Sequence, residues 1–333
     1  MYERPFHKND ISKNSFLVTG GAGFIGSNII EYLLKYNAGK VYCLDNFSNG
    51  FRKNLREFEG HANFHLIEAD ICNYEDCREY TVGIDFVLHQ AALGSVPRSI
   101  NDPINTNHSN VTGFLNMLYA SKENAVKKFV YAASSSTYGD SKELPKVENK
   151  IGRPLSPYAV TKLVNELYAD VFYKTYNFSS IGLRYFNVFG PKQDPNGAYA
   201  AVIPLFMNAM INGNAPRING DGEQTRDFTF VENAVQANIK ALFSEVNGSE
   251  VYNVAFSERI SVNKLFNSIK ELSGKELDPI YGSERKGDVR DSLADITKAQ
   301  KYLDYNPEVD ILEGLKITWN WFKENQSFIS IKE

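Results

Sequence analysis

A chain of 333 residues is too long for one small core and suits a large α/β domain or two lobes. Its 43% hydrophobic and 23% charged residues are ordinary globular composition, and a net charge of −4 implies no strongly basic face for a nucleic acid. No stretch reaches the ~20 apolar residues that span a bilayer. The polar start MYERPFHKNDISKN lacks a signal-peptide run, so a soluble cytoplasmic protein is expected.

SFLVTGG (15–21) is a short apolar run ending in glycines, the pattern of a buried strand entering a tight turn. FIGSNIIEYLLKY follows with helical periodicity, and KVYCLD (40–45) reads as a second strand. NFHLIEAD (63–70), DFVLHQAA (85–92), KKFVYAAS (127–134) and SSIGLRYF (179–186) read as further strands. Helices are predicted between them, including NVTGFLNMLYASKE (110–123) and the long SPYAVTKLVNELYADVFYKTY. Such alternation predicts a parallel sheet wrapped by helices on both faces.

After Asn187 the pattern loosens and Gly, Pro and Asn become frequent. NAVQANIKALF (233–243) then reads as a helix, EVYNVA (250–255) as a strand, and SVNKLFNSIKEL (261–272) as a helix opened by a serine cap. The expected fold is α/β. A Rossmann-type parallel sheet with helices on both faces covers 15–187, with segments near 230–260 returning to it. A smaller mixed α/β substrate-binding lobe is built from 188–229 and 261–333, and 1–14 is an N-terminal extension.

Cys43, Cys72 and Cys77 form no CxxC pair, which predicts reduced thiols. His61 and His65 are four apart, but spacing supplies no further ligand, so no metal is expected.

Gly20, Gly23 and Gly26 give GxxGxxG at a strand-to-helix turn. Glycine suits the tight turn, the backbone's approach to a pyrophosphate and close helix–strand packing. The helix N-terminus then offers free N–H groups and a positive dipole end to phosphates. Asp45 ends the next strand 19 residues after Gly26, where a carboxylate would hold a ribose 2′-hydroxyl and repel a 2′-phosphate. NAD is therefore expected rather than NADP. Asp70, at the end of the third strand, has two readings: an adenine contact, or an N-cap for a helix over ICNYEDC.

Tyr158 and Lys162, in SPYAVTK, lie four apart and share a helix face. An ammonium near a phenol favours the phenolate and lowers its pKa from ~10. Such a tyrosine can take a proton from a hydroxyl while the adjoining carbon is oxidised. Ser134, Ser135 and Ser136 follow a strand end in AASSSTYG, at the carboxyl edge of the sheet where ligands bind.

VTGGAGFIGS, SSSTYG and YAVTK together resemble the extended short-chain dehydrogenase/reductases. RYFNVFGP, DGEQTRDF and RKGDVRDSLAD narrow the resemblance to the NAD-dependent UDP-sugar 4-epimerases. AALGSVPRSINDP and SPYAVTKLVNELYA are most similar to the subgroup acting on N-acetylated hexosamines.

The resemblance implies that Tyr158 is the acid/base, Lys162 its tuner and a nicotinamide-ribose ligand, and Ser134 the partner of the sugar 4-oxygen. It places Gly20, Gly23, Phe24, Ile25, Gly26, Asp45, Asn46 and Ser48 at NAD-contact positions. Asp70, Ile71, Gln90, Ala91, Ala92, Asn110 and Tyr185 join them. At UDP-sugar positions it places Ser135, Ser136, Asn187, Val202, Ile218, Asn219, Arg226, Arg285 and Asp288. A guanidinium fork matches phosphate oxygens, which suits Arg226 and Arg285 to a diphosphate. Ser292 falls where epimerases restricted to unacetylated sugars carry a bulky tyrosine, and Gly94 and Ser95 replace a bulkier stretch near the same pocket. Room for an N-acetyl group is implied. So is a homodimer through helices at 105–124 and 156–176.

Three other readings stand beside this one. A 4,6-dehydratase of the same fold needs an Asp-Glu pair where this chain has Ser135-Ser136, and a uronate decarboxylase also begins with oxidation at C4. A 4-epimerase for UDP-N-acetylglucosaminuronate shares nearly all the motifs, with Arg98 a candidate partner for the carboxylate. A non-catalytic NAD-binding regulator would be expected to lose the tyrosine or lysine; both are present.

Overall fold

The computed structural model describes residues 1–196, 200–283 and 290–326. Six strands come first in chain order: β1 (Ser15–Thr19), β2 (Lys40–Asp45), β3 (Phe64–Glu68), β4 (Phe86–His89), β5 (Lys128–Ser134) and β6 (Ser180–Tyr185). Between them run α1 (Phe24–Lys35), α2 (Tyr74–Tyr80), α3 (Val96–Asn101), α4 (Pro103–Asn107), α5 (Gly113–Glu123) and α6 (Pro157–Tyr176). A π-helical turn, His108–Thr112, joins α4 to α5.

The second half carries short strands β7 (Val188–Phe189), β8 (Arg217–Asn219), β9 (Thr225–Asp227) and β10 (Thr229–Phe230). It continues with β11 (Ser249–Val254), β12 (Arg259–Ser261) and β13 (Ile280–Gly282). Its helices are α7 (Val202–Ile211), α8 (Val231–Leu242), α9 (Val262–Ser273), α10 (Thr297–Leu303) and α11 (Ile311–Glu324).

Seven strands form one parallel sheet in the order β11-β6-β5-β4-β1-β2-β3. Strand order reverses between β1 and β4, which opens a crevice at the carboxyl edge. Away from the edge strands β3 and β11, both faces of the sheet are buried, so the central strands read as continuous apolar runs rather than alternating ones. On one face Ile29, Leu33, Val235 and Ile239 of α1 and α8 pack on Phe16, Val18 and Leu88. On the other, Phe114, Met117, Leu118 and Phe172 pack on Leu17, Val87 and Phe129. A separate core joins Phe206, Met207, Phe228, Leu265, Phe266, Leu315 and Phe322 of the second half.

Residues 1–14 are laid along α1, although the segment reads as polar. Tyr2, Phe6 and Ile11 are buried in the first core. The Tyr2 hydroxyl donates to the Asn28 carbonyl (3.1 Å), and the Phe6 amide donates to the Tyr32 hydroxyl (2.7 Å).

Helix α6 has clear local causes. Ser156 caps it, its Oγ accepting from the Ala159 amide at 3.1 Å, and Pro157 fills the first helical position, where no N–H is missed. It ends at Asn177 in the left-handed conformation, φ 54°. Among the described residues, no helix is long and apolar enough to cross a membrane, and no His/Cys/Asp/Glu cluster could hold a metal.

Candidate active site

The crevice at the carboxyl edge is a cavity of about 610 Å³, within the range of small-molecule and cofactor sites. Gly20 turns the chain after β1 at φ +67°, and a Cβ there would meet the Ala91 backbone at 2.6 Å. A Cβ on Gly26 would lie 2.2 Å from the Gly20 carbonyl, so only glycine lets α1 start this close to the turn. No side chain caps α1. Gly23, Phe24 and Ile25 therefore present a helix N-terminus to the cavity, with its amides and dipole suited to a pyrophosphate.

Asp45 lines the cavity at the end of β2. Its two oxygens accept from the Ala22 amide and the Phe47 amide, each at 2.9 Å. A carboxylate has about four acceptor sites, so a ribose hydroxyl could still be received. Burial pushes its pKa up, against these backbone hydrogen bonds. Asn46, Ser48 and Ile71 line the same end. Asp70 does not line it; it accepts from the Cys72 amide (2.8 Å) and the Asn46 side chain (3.0 Å). Nor does Asp70 cap the following helix: α2 starts at Tyr74 and Asn73 caps it.

At the back, Gln90, Ala91, Ala92 and Tyr185 reach the cavity. Tyr185 donates to Gln90 Oε1 (3.2 Å) and accepts from Asn238 Nδ2 (2.7 Å), while Gln90 donates to Asn238 Oδ1 (3.1 Å). This closed polar triangle fixes the wall. Asn238, on α8, was not singled out in the sequence; the signal was a run of polar residues, Asn233, Gln236 and Asn238, on a helix face that proves buried. Asn110 sits behind the cavity in the π-helical turn. It bonds both backbone groups of Leu93 (2.7 and 3.2 Å) and the Thr161 hydroxyl (3.1 Å), so it braces the loop after β4 against α6.

A second chamber of about 220 Å³ adjoins the first. Ser135, Ser136, Arg226 and Ser292 line it, and Ser134 and Asn187 line both spaces. Gly94 and Ser95 line the larger one. The Ser292 amide donates to the Thr225 carbonyl at 3.1 Å, which seats this residue against β9. Arg226 donates to the carbonyls of Thr225 (2.8 Å) and Arg290 (2.9 Å). Val202 opens α7, and Ile218 and Asn219 lie in β8, paired with β13; none of the three lines either space. Arg285 and Asp288 lie outside the described residues.

Tyr158, Lys162 and Ser134 meet where the two spaces join. Ser134 Oγ accepts from the Ser136 amide (3.1 Å) and the Ser136 hydroxyl (2.8 Å), leaving its own O–H to donate. The Lys162 ammonium donates to the Ala132 carbonyl at 2.8 Å. Burial pushes the lysine down to about 8.

The expectation for Tyr158 needs correction. Among the protein's own groups, burial dominates and raises the phenol above its ordinary value, while the hydrogen bond from Ser134 pulls the other way. The serine, rather than the lysine alone, is the local group that favours the phenolate. Buried His89 behind the site is pushed down to about 3 by burial and by the Lys162 charge, which keeps it neutral.

Arg98 lines the larger cavity and donates to Asn49 Oδ1 at 3.0 Å. It does not line the smaller chamber. The buried cation that does is Lys146, which the sequence reading passed over; its Nζ donates to the Ser141 carbonyl at 2.5 Å.

Residues 16–255 match the NAD dependent epimerase/dehydratase family. A putative UDP-glucose 4-epimerase of Methanocaldococcus jannaschii is 37% identical, over 93% of this chain and 98% of its own. A UDP-N-acetylglucosamine 4-epimerase from Methanobrevibacter ruminantium, solved in complex with UDP-N-acetylmuramic acid, is 40% identical with a TM-score of 0.89, over 93% of this chain and 98% of that one. A UDP-glucuronic acid 4-epimerase from Bacillus cereus, solved with UDP-glucuronic acid and NAD, is 32% identical with a TM-score of 0.87, over 93% and 99%. The chain belongs to the NAD-dependent epimerase/dehydratase family of extended short-chain dehydrogenase/reductases and has UDP-sugar 4-epimerases among its relatives.

Proposed function

We propose that this protein interconverts UDP-N-acetylglucosamine and UDP-N-acetylgalactosamine through a 4-keto intermediate, and also accepts UDP-glucose and UDP-galactose. The observation that carries the reading is the position of Ser134 and Tyr158. Ser134 lines both spaces, so a sugar C4 held at their junction faces a hydroxyl, a phenol and the dinucleotide cavity together. The similarity to a UDP-N-acetylglucosamine 4-epimerase supports the choice of sugar.

NAD, when bound, supplies the reversible two-electron oxidation at C4. Tyr158 takes the 4-hydroxyl proton and later returns it. Ser134 donates to the same oxygen and steadies the phenolate. Lys162 holds positive charge behind both groups. Arg226, with Arg285 as its implied companion, takes the diphosphate, about which the ketose turns to present its other face. A sugar that must adopt two orientations is best held through its nucleotide, with few rigid bonds to the ring. Ser292 leaves space for the acetamido group in the smaller chamber; Gly94 and Ser95, expected beside the same pocket, line the larger space instead.

A second reading is favoured by Lys146. A buried ammonium in the sugar chamber suits a carboxylate, and the Bacillus cereus relative acts on a uronate. The two readings separate in one experiment. Purified protein is incubated with UDP-N-acetylglucosamine, UDP-glucose or UDP-N-acetylglucosaminuronate, and proton NMR follows each to equilibrium. Conversion of the first without added NAD supports the main proposal, conversion of the uronate alone moves the substrate, and conversion of none by NAD-loaded protein sinks both.

The proposal includes a homodimer. Val160, Leu167 and Val171 form an exposed apolar stripe along α6, with Ile100 and Ile104 exposed on the adjoining α3 and α4. Ile104 is 83% and Leu167 57% exposed, large for aliphatic side chains, and a second copy of the same helices would cover them.

A further inference from the structure

Lys192 follows β7 in the loop that leads from the sheet to the second core, and it lines the dinucleotide cavity. The sequence reading gave it no role. It is only 7% exposed, and its backbone is left-handed at φ 71°. A side chain with a Cβ adopts that conformation at a cost, so something must hold it there.

The holding contacts are visible. Lys192 Nζ lies 2.8 Å from Glu31 Oε2 and 2.5 Å from Glu57 Oε1, and 4.8 Å from the centre of the Phe58 ring. Glu31 belongs to α1, whose N-terminus faces the cavity. Glu57 belongs to the turn Arg52–Phe58, which is tied to the glycine turn by Asn54 Nδ2 and the Phe51 amide, both donating to the Ala22 carbonyl (2.7 and 3.0 Å). Next to the lysine, the Pro191 carbonyl accepts from Asn28 Nδ2 of α1 at 3.3 Å.

Three chain segments around one cavity thus converge on one ammonium. Without it, two carboxylates would face each other across the lip with no charge between them, and like charges at short range repel. The lysine is the buried member at 7% exposed, while Glu31 and Glu57 are 28% and 53% exposed, so the two carboxylates offset the cost of taking the ammonium out of water.

We propose that Lys192 is a positioning residue that latches the loop after β7 onto α1 and the 52–58 turn and thereby retains NAD between turnovers. It does not touch the reacting carbon. Its function is the lifetime of the loaded protein, which matters for an isomerisation with no net redox, where a released cofactor gains nothing. The inference rests on the family's NAD dependence and not on the identity of the sugar.

The test uses NAD-loaded wild type, Lys192→Met and Lys192→Arg. Each is diluted into NAD-free buffer containing ethanol and alcohol dehydrogenase, so that released NAD is trapped as NADH and its absorbance gives the release rate. Loss of the latch should appear in the off-rate, with Lys192→Met releasing NAD at least about tenfold faster than wild type. Lys192→Arg should stay near wild type. Turnover of Lys192→Met should return to within about twofold of wild type when NAD is in excess, since the reacting groups are untouched. A Met variant that releases NAD at the wild-type rate overturns the proposal. So does one whose activity excess NAD fails to restore, because the lysine would then serve the chemistry or the fold and not retention.

Discussion

Lys162 and Tyr158 share one face of α6, yet the ammonium lies 5.9 Å from the centre of the phenol ring and spends a hydrogen bond on the Ala132 carbonyl. Among the protein's own groups, it is Ser134 rather than this lysine that favours the phenolate, against the effect of burial. The two residues can be tested separately.

Tyr158→Phe removes the proton acceptor and leaves the cavity shape nearly intact. Turnover should fall by about 10²–10⁴-fold, the usual contribution of a positioned acid/base. The NAD content of the purified variant, read after acid extraction, should match wild type.

Lys162→Met should move the pH profile. With the folded value lowered to about 8, the ammonium is present below that pH and lost above it. The variant has no cation at any pH, so the rising limb of turnover should lie at higher pH than in wild type. Stability carries the opposite signature. Between about 8 and the ordinary lysine value of 10.5 the unfolded chain binds the extra proton, so this lysine makes stability rise with pH through that window. Thermal melts of the two proteins across that range should show the rise in wild type and not in the variant.

Ser292→Tyr should narrow the smaller chamber. UDP-N-acetylglucosamine conversion should drop by at least about tenfold, a modest cost for a side chain intruding on a fitted group, while UDP-glucose conversion changes much less. Equal losses on both sugars would show that Ser292 does not face the acetamido group.

Asp227 closes β9, its two carboxyl oxygens accepting from the Phe256 amide (3.2 Å) and the Ala294 amide (3.1 Å). Burial raises its pKa to about 7, against those hydrogen bonds. A raised folded value means the folded state holds the proton longer, so its contribution is full below the ordinary value of 3.8 and is lost as pH rises toward about 7. Wild type should lose stability relative to Asp227→Asn across that window. Parallel melting curves at every pH would refute the assignment.

A double change, Leu167→Glu with Val171→Glu, places charge on side chains that are 57% and 52% exposed in one chain. If α6 forms the dimer face, the variant should sediment as a monomer with its melting temperature little changed at fixed low concentration. A wild-type monomer, or a dimer that survives the change, rules out this face.

The local part of this fold was legible. KVYCLD became β2 over Lys40–Asp45 without a shift, and β5 stops at Ser134. Ser156 caps α6 and Ser261 caps α9. Each depends on near neighbours in the chain: an apolar run between polar ends, a capping oxygen, a proline at a position that tolerates it. The Tyr158–Lys162 relation was legible as spacing, but its electrostatics were not, because burial is a property of the assembled site.

The remainder required long-range contacts. Nothing in FGPKQDP announces that Lys192 will meet Glu31 and Glu57, which lie far upstream. Lys146 enters the smaller chamber because its backbone amide bonds the Leu293 carbonyl at 2.7 Å, a partner from the other end of the chain. Residues 1–14 look polar by count, while Tyr2, Phe6 and Ile11 follow no helical or strand period and are buried one by one.

The place of β11 at the margin of the sheet has a consequence for synthesis. Every strand from β1 to β6 precedes residue 186, but the outer partner of β6 is β11, which ends at Val254. A chain leaving the ribosome therefore carries β6 as an unpaired edge while some seventy further residues are made, and unpaired edges invite pairing with other chains. The segments in between supply only part of the second core, because Leu265, Phe266, Leu315 and Phe322 lie beyond β11 in the chain, so that core closes only after the sheet has received its last strand.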